Sequence, residues 1–277
     1  MNTRDLFLQS KRYTTKWEKY FDVYDGIFDR FKHKKITFVE VGVLNGESLQ
    51  MWKKYFHPDS KIIGIDFNPE CKKFEKDGIE IFIGDQSDED FWDNFFKKVG
   101  KVDILLDDGG HTNTQQIITT LKSLPNITDD GILMIEDTHT SYMQEFGNPN
   151  KYSFINFTKK IIDDVNFKYP NLGNFKVSLN DYVYSIQYFE SIVIFHINTK
   201  KTGINKKIKN KSIDNDIVTD FRYHNTIVPK LLKNEIIYKF KYLKKYDFIN
   251  FCYRFISKII IHFKNVLDSK KNKKFFK

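Results

Sequence analysis

Two apolar runs that stop abruptly at acids constrain this 277-residue chain more than any other feature: ILLDDGGH at 104–111 and ILMIEDTH at 132–139. An apolar stretch of four or five residues ended by acids reads as a buried parallel strand, whose carboxyl end delivers polar side chains to one rim of a sheet. Ligands in open α/β sheets bind at that rim. Asp107, Asp108, Glu136 and Asp137 are therefore expected to converge there, with His111 and His139 just beyond. Negative charge in that concentration calls for a cation, so the expectation is a metal site beside a cofactor pocket.

The flanking sequence alternates strand and helix signals. ITFVEV (36–41), KIIGID (61–66), IEIFIG (79–84), VDILLD (102–107) and ILMIED (132–137) are strand candidates. Between the first two, GESLQMWKKYF (46–56) places Leu49, Trp52, Lys53 and Phe56 on one helical face. DEDFWDNFFKKV (88–99) opens with acids and closes with lysines, as the helix dipole favours. TNTQQIITTLKSL (112–124) starts at Thr112 as N-cap and stops at Pro125. At the other end, DYVYSIQYF (181–189) and SIVIFHIN (191–198), separated by Glu190, read as an antiparallel hairpin. The prediction is an α/β fold: a doubly wound, seven-stranded, mostly parallel sheet closed by an antiparallel hairpin, which is the architecture of class I methyltransferases. Upstream, WEKYFDVYDGIFDRF (17–31) spaces Tyr20, Tyr24, Ile27 and Phe31 as a helical packing face.

Charge divides the chain. The net +9 combines a body of −6 over residues 1–198 with a basic tail of +15 over residues 199–277. The expected units are a catalytic domain with its N-terminal helical segment at 1–198 and a basic linker and helical tail at 199–277, TKKTGINKKIKNKSIDN (199–215) having the character of a solvated linker. Cys71 and Cys252 are isolated, which argues against a disulfide framework or zinc cluster and fits a reducing cytoplasm. The start lacks a signal-peptide core, and no apolar run approaches ~20 residues, so export and membrane spanning are not expected.

The turn VEVGVLNGES (39–48) carries Gly42 and Gly46 where a backbone must turn tightly and admit a ligand. Its pattern is E-x-G-x-x-x-G, without the middle glycine of a pyrophosphate turn, and Glu40 would repel phosphate while suiting a cation. S-adenosylmethionine, with its ammonium and sulfonium, fits better than NAD. Candidate contacts on this turn are Glu40, Gly42, Asn45, Gly46 and Ser48. Asp66 ends the second strand, where a carboxylate can accept ribose hydroxyls, and Asp85 and Gln86 follow the third, where they could recognise adenine. Asp107 is assigned to the cofactor side or to a structural contact.

TTKWEKYFDVYDGIF, FVEVGVLNGES, IIGIDFNP, ILLDDGGH, MIEDTHTSY, FINFTKKIIDD and YSIQYFESIVIF together resemble the metal-dependent sugar O-methyltransferases of macrolide biosynthesis, of the macrocin and mycinamicin type, and their cephalosporin-hydroxylase-like relatives. The match runs from about Tyr13 to His196. It implies that Asp108, Glu136 and Asp137 hold Mg2+ and that His111 is the base; Gly110 stands where Ser is commoner, a change confined to turn geometry. The implied reaction is O-methylation of a sugar hydroxyl, on a nucleotide-linked or surface-glycan sugar. The alternatives are a catechol-like or other small diol, or a nonenzymatic S-adenosylmethionine-binding scaffold. Substrate identity does not transfer, because the family's substrate lid varies. Tyr20, His139 and Tyr142 are candidates for the substrate side, together with Lys16, although His139 reads first as a cap or a partner to a ligand.

In the tail, residues 230–267 mix Lys and Arg with Phe, Tyr and Ile without Gly or Pro, which predicts a long helix with apolar residues spread widely around it. Residues 230–277 are expected to attach to an anionic membrane surface, at the inner face of the membrane, with SKKNKKFFK disordered. Nucleic acid is disfavoured as a partner, since Arg is scarce there and the body is acidic. A homo-oligomer is left open.

Overall fold

The computed structural model describes residues 1–146, 151–169, 181–208, 210, 227–232 and 246–276. The chain divides into two compact units, residues 1–208 and 209–277.

In the first unit the apolar runs form seven strands: β1 (Thr37–Val41), β2 (Lys61–Asp66), β3 (Ile79–Ile83), β4 (Val102–Asp107), β5 (Ile127–Ile135), β6 (Val183–Phe189) and β7 (Ile192–Ile197). They make one sheet in the order β3-β2-β1-β4-β5-β7-β6. The first five are parallel, while β7 runs antiparallel to β5 and β6 antiparallel to β7. This is the predicted doubly wound sheet with its closing hairpin. The reversal of strand order beside β1 puts the carboxyl ends of β1 and β4 side by side, where ligands bind in such sheets.

Alternate residues of the central strands face two cores. Phe38, Ile62, Ile104 and Leu106 pack with α2 (Tyr20–Phe28) and α3 (Glu47–Tyr55), and Trp52 at the centre is fully buried. Val39, Ile63, Leu105 and Leu133 pack with Trp92 and Phe95 of α4 (Glu89–Val99) and Phe154 of α6 (Phe154–Asn166), with α5 (Asn113–Ser123) on the same side. A short α1 (Thr3–Leu8) precedes α2. Thr112 caps α5 through a reciprocal capping box with Gln115.

Several details depart from the sequence-based expectations. β5 starts at Ile127, five residues before the apolar run, and its pairing with β4 shifts register between Val102 and Ile104. The polar TDDG stretch that looks like a turn is accommodated by Asp130 at φ +66 and by that irregularity. β5 ends at Ile135, so Glu136 and Asp137 lie in the turn beyond it. Phe21 and Phe28 are buried where Ile27 is only half-buried, because the buried stripe of α2 runs through Phe21, Tyr24 and Phe28 at spacings of three and four residues and leaves Ile27 at its edge. Lys53 is likewise only half-buried, its ammonium bonding the Pro58 and Ser60 carbonyls. The first part of the expected linker is tied to the first unit: Thr199 bonds Asp129, Thr202 bonds the Asp181 carbonyl, and Asn205 N–H bonds the Lys168 carbonyl.

The second unit contains α7 (Ile227–Leu232) and α8 (Asp247–Asn272). Tyr246 is extended, at φ −99 and ψ 112, so α8 begins afresh and the single helix expected over 230–267 is interrupted there; residues 233–245 of that stretch lie outside the described residues. Phe248, Phe251, Phe255, Ile259 and Val266 fall on one side and Ile256, Ile260, Phe263 and Leu267 on the side next to it, all exposed, so the apolar residues are spread over about half of the helix, as expected. Residues 269–272 continue α8 and Lys273–Phe275 form a 3-10 turn where disorder was expected, with lysines at the C-terminus favoured by the helix dipole. Among the described residues no helix is long and apolar enough to cross a membrane.

Candidate active site

A cleft of about 880 Å³ opens at the carboxyl ends of β1, β2 and β4. Its floor is the turn after β1, where Gly42 takes φ +95 and lies so close to the β4 loop that a β-carbon would sit 2.1 Å from the Asp108 carbonyl oxygen. Asp108 N–H bonds the Val41 carbonyl at 3.0 Å, which locks the two loops together. Gly46, at φ +73, is the left-handed N-cap of α3.

The expected cofactor residues fall into two groups. Gly42, Asn45, Ser48, Asp66, Asp85 and Gln86 line the cleft. Asp66 Oδ2 accepts from the Val43 and Leu44 N–H groups at 2.8 and 3.1 Å, and Oδ1 accepts from Asn68 N–H. A carboxylate has about four acceptor positions, which leaves room for a ligand. Asp85 Oδ1 holds Ser87. Gln86 bridges loops, its Nε2 donating to Asp107 and Thr119 and its Oε1 accepting from Gly110 N–H. Glu40 and Asp107 are buried beneath the cleft rather than lining it, and Gly46 does not line it either. Asp107 Oδ1 accepts from Gln86 and Gly109, and burial pushes its carboxyl upward. Burial raises Glu40 to about 7, with Lys16 and the Ser48 and Trp52 side chains pulling the other way.

At the other end of the cleft the two strand-end acid pairs meet. One oxygen from each of Asp108 and Asp137 and one nitrogen of His111 lie within 4.8 Å of one another, a spacing that fits a single cation. His111 Nε2 is 3.4 Å from Asp137 Oδ2 and 4.0 Å from Asp108 Oδ1. His111 and Asp137 both occupy the left-handed region, at φ +57 and +53, as does Leu44 on the cofactor turn at +46. Backbone strain in non-glycine residues tends to collect at functional sites, and three of the six such residues found among the described ones line this cleft.

Glu136 faces differently. It is fully buried, with one oxygen accepting from Lys16 Nζ at 2.8 Å and the other from the Tyr24 hydroxyl. Burial pushes its carboxyl upward against these partners. Lys16, whose side chain is 4% exposed, also bonds Asp108 Oδ2 at 2.5 Å and lies 3.9 Å from Glu40. These carboxylates hold its ammonium well above the usual lysine range although burial opposes them, so Lys16 is charged. Asp137 Oδ1 accepts from Tyr20 OH at 2.6 Å and Trp17 Nε1 at 3.1 Å. His139 stands edge-on to Trp17, bonds Ser191 Oγ, and lies 3.8 Å from Asp137 Oδ1, while Tyr142 is exposed. Neither His139 nor Tyr142 lines the cleft.

Sequence reasoning missed Tyr24 and Trp17 as partners of the acids. Tyr24 follows Tyr20 by four residues, so both hydroxyls leave the same helical face, but that spacing also describes an aromatic packing stripe. Trp17 precedes α2 and carried no periodic signal.

No family model matches the chain. Among curated proteins it is similar to mycinamicin VI 2''-O-methyltransferase of Micromonospora griseorubida, 32% identical over 131 residues that make up 45% of this chain and 32% of that protein. It is also similar to demethylmacrocin O-methyltransferase of Streptomyces fradiae, 29% identical over 174 residues, 57% of this chain and 43% of that protein. The chain spans less than half the length of the curated relatives it matches. Among solved structures, the MycE methyltransferase of the mycinamycin biosynthetic pathway in complex with Mg and SAH aligns with a TM-score of 0.65 at 23% identity, covering 80% of this chain and 58% of MycE. Its complex with Mg, SAH and mycinamycin VI aligns with a TM-score of 0.66 at 22% identity, covering 77% of this chain and 57% of MycE. That likeness establishes the class I methyltransferase fold.

Proposed function

From the chain's similarity to the macrocin- and mycinamicin-type sugar O-methyltransferases, we propose that it transfers a methyl group from S-adenosylmethionine to a sugar hydroxyl, assisted by a divalent cation, Mg2+ by preference. The observation that carries this reading is the meeting of an Asp108 and an Asp137 carboxylate oxygen, as donors to the ion, with a His111 nitrogen, as base, all within 4.8 Å at one end of a glycine-floored cleft.

The residues fit both groups. Gly42 lets the β1 turn close against the Asp108 loop to form the floor of the cleft, and the acids around the cleft favour a cationic cofactor. Asp108, Glu136 and Asp137 would be the oxygen donors of the ion, the first and last beside His111 and Glu136 joined to Asp108 through Lys16. A bound divalent ion supplies Lewis acidity that lowers the pKa of a sugar hydroxyl, and the sulfonium supplies a methyl already activated for in-line displacement. His111 Nε2 accepts the hydroxyl proton, and Asp137 Oδ2, 3.4 Å from that nitrogen, stabilises the imidazolium that results. Thr140 Oγ1 donates to the His111 carbonyl at 2.9 Å and holds that strained turn. Trp17, 60% exposed at the cleft mouth, offers an aromatic face to the acceptor sugar.

The acceptor in this reading is a sugar carried on a larger molecule, nucleotide-linked or part of a surface glycan. The exposed apolar face of α8, rich in Phe and bordered by Lys and Arg, supports peripheral attachment to an anionic membrane from the cytoplasmic side. Sedimentation with anionic liposomes, compared with RNA and DNA binding at matched salt, tests the attachment.

The reaction is tested by incubating the protein with S-adenosylmethionine and a panel of glycosylated polyketides, nucleotide sugars and glycans, with Mg2+ or with chelator. Methyl transfer to a sugar in Mg2+ that stops in chelator is expected. Methylation of catechols but no sugar would replace the acceptor class, and turnover indifferent to chelation would remove the ion.

A further inference from the structure

A lysine buried among candidate metal ligands needs a reason. Lys16 Nζ reaches Asp108 Oδ2 at 2.5 Å and Glu136 Oε2 at 2.8 Å, with Glu40 Oε1 at 3.9 Å, inside a side-chain environment that leaves the lysine 4% exposed. The first two oxygens belong to acids on which the proposed ion depends. An ammonium in such a nest does part of what a cation would do, because it compensates carboxylates that burial would otherwise penalise severely. It also takes one acceptor position from Asp108 and one from Glu136, whose other oxygen accepts from Tyr24.

Lys16 belongs to an arm without regular structure, residues 10–19, that runs past the cofactor turn toward the acids. The arm is anchored at both ends. Near α3, Lys11 N–H and Arg12 bond the Glu47 carboxylate, and Asn45 donates to the Tyr13 carbonyl. Near the acids, Trp17 bonds Asp137. Thr14, Thr15, Lys16 and Trp17 line the cleft between those anchors. The state of Lys16 and the course of the arm over the cleft are therefore mechanically linked.

We propose that Lys16 is an internal competitor for the ion: its ammonium and a divalent cation contend for the same carboxylates, and the cation displaces it, taking Glu136 and releasing the centre of the arm. Lys16 is on this account a positioning residue, which keeps the acids gathered when no ion is bound and yields to the ion. The inference rests on the proposed ion site, but not on methyl transfer. It gives a reason for a fixed monovalent charge at this place: the ammonium can hold the acids together by itself, while a monovalent ion gains little over the tethered ammonium. A divalent one carries twice the charge into the same carboxylates and can prevail.

Two measurements on the full chain test the competition. Mn2+ binding followed by electron paramagnetic resonance is compared between wild type and Lys16→Met, which keeps the length of the side chain and removes the charge. Removing a positive charge beside the site should tighten Mn2+ binding on the order of tenfold or more. If Lys16 only scaffolds the ligands, the same substitution weakens binding. The second measurement needs no variant: amine acetylation of the wild-type protein read by mass spectrometry, in chelator and in saturating Mg2+. Lys16 should pass from protected to reactive on adding Mg2+, while Lys19, whose side chain is 73% exposed, stays equally reactive in both. Unaltered or weaker Mn2+ binding in Lys16→Met overturns the proposal, and so does a Lys16 that remains protected in saturating Mg2+. Failure of methyl transfer with this competition intact would refute the reaction and leave the exchange standing.

Discussion

Gly42→Ala is the sharpest single perturbation of the site, because it acts on the cofactor turn and the ion ligands through one contact. The new β-carbon would lie 2.1 Å from the Asp108 carbonyl oxygen and 2.9 Å from its carbon, far inside van der Waals contact, and both atoms are backbone. Asp108 cannot step aside freely, since its N–H is bonded to Val41 and its carboxylate to Lys16. Overpacking of this kind costs about 1–3 kcal/mol. The positive φ adds about 1–2 kcal/mol for a residue with a β-carbon. A total of about 2–5 kcal/mol is large against a domain stability of roughly 5–15 kcal/mol, but it leaves much of the protein folded. Relief must come from moving the Asp108 loop, so both ligand sites should suffer. Urea denaturation should show the loss of stability. Calorimetric titration of the folded variant should show SAH binding weakened roughly 100-fold and Mn2+ binding roughly tenfold, at about 1.4 kcal/mol per factor of ten. Unchanged stability with both affinities within about twofold of wild type would refute the coupling of the two loops. Loss of SAH binding alone would show that the Asp108 loop yields without disturbing the ion ligands.

Tyr24→Phe removes the hydroxyl that holds one oxygen of buried Glu136, and leaving that acceptor unsatisfied should cost about 1–3 kcal/mol in chelator, measured by thermal or urea unfolding. Glu40 titrates higher in the folded protein, near 7 against an ordinary 4.5, so the folded state binds its proton more tightly than the unfolded chain does. Its contribution to stability is full below about pH 4.5 and is lost as pH rises toward 7, on the order of 3 kcal/mol. Urea unfolding in chelator from pH 4.5 to 8 should show that decline, and Glu40→Gln should flatten it; an equal slope in the variant would assign the effect to other buried acids.

The sheet could be read from sequence because buried parallel strands have to be apolar on both faces and stop where the chain meets solvent. ILLDD and ILMIED therefore announced both the strand and its functional end. The glycine turn was equally visible, since the close approach of Gly42 to the β4 loop excludes other residues. What could not be read was the direction in which each acid faces. Glu136 and Asp137 are adjacent in sequence, yet Asp137 takes a left-handed conformation that separates their side chains, one toward His111 and the other into the core beneath Lys16. Likewise Gln86 and Asp107 stand at the expected strand ends but spend their polar atoms tying loops together. Long-range partners such as Lys16, 92 residues from Asp108, leave no local pattern.

The central claim is that one divalent ion and the methyl donor sit side by side across the β1 and β4 loops. A crystal grown with Mn2+ and SAH, with the ion located by its anomalous scattering, tests this directly. The account predicts one strong peak bound by Asp108 and Asp137, with the SAH sulfur in the Gly42 cleft and turned toward it and His111 near enough to meet an acceptor hydroxyl. Mn2+ bound away from these acids, or SAH bound outside that cleft, would contradict it.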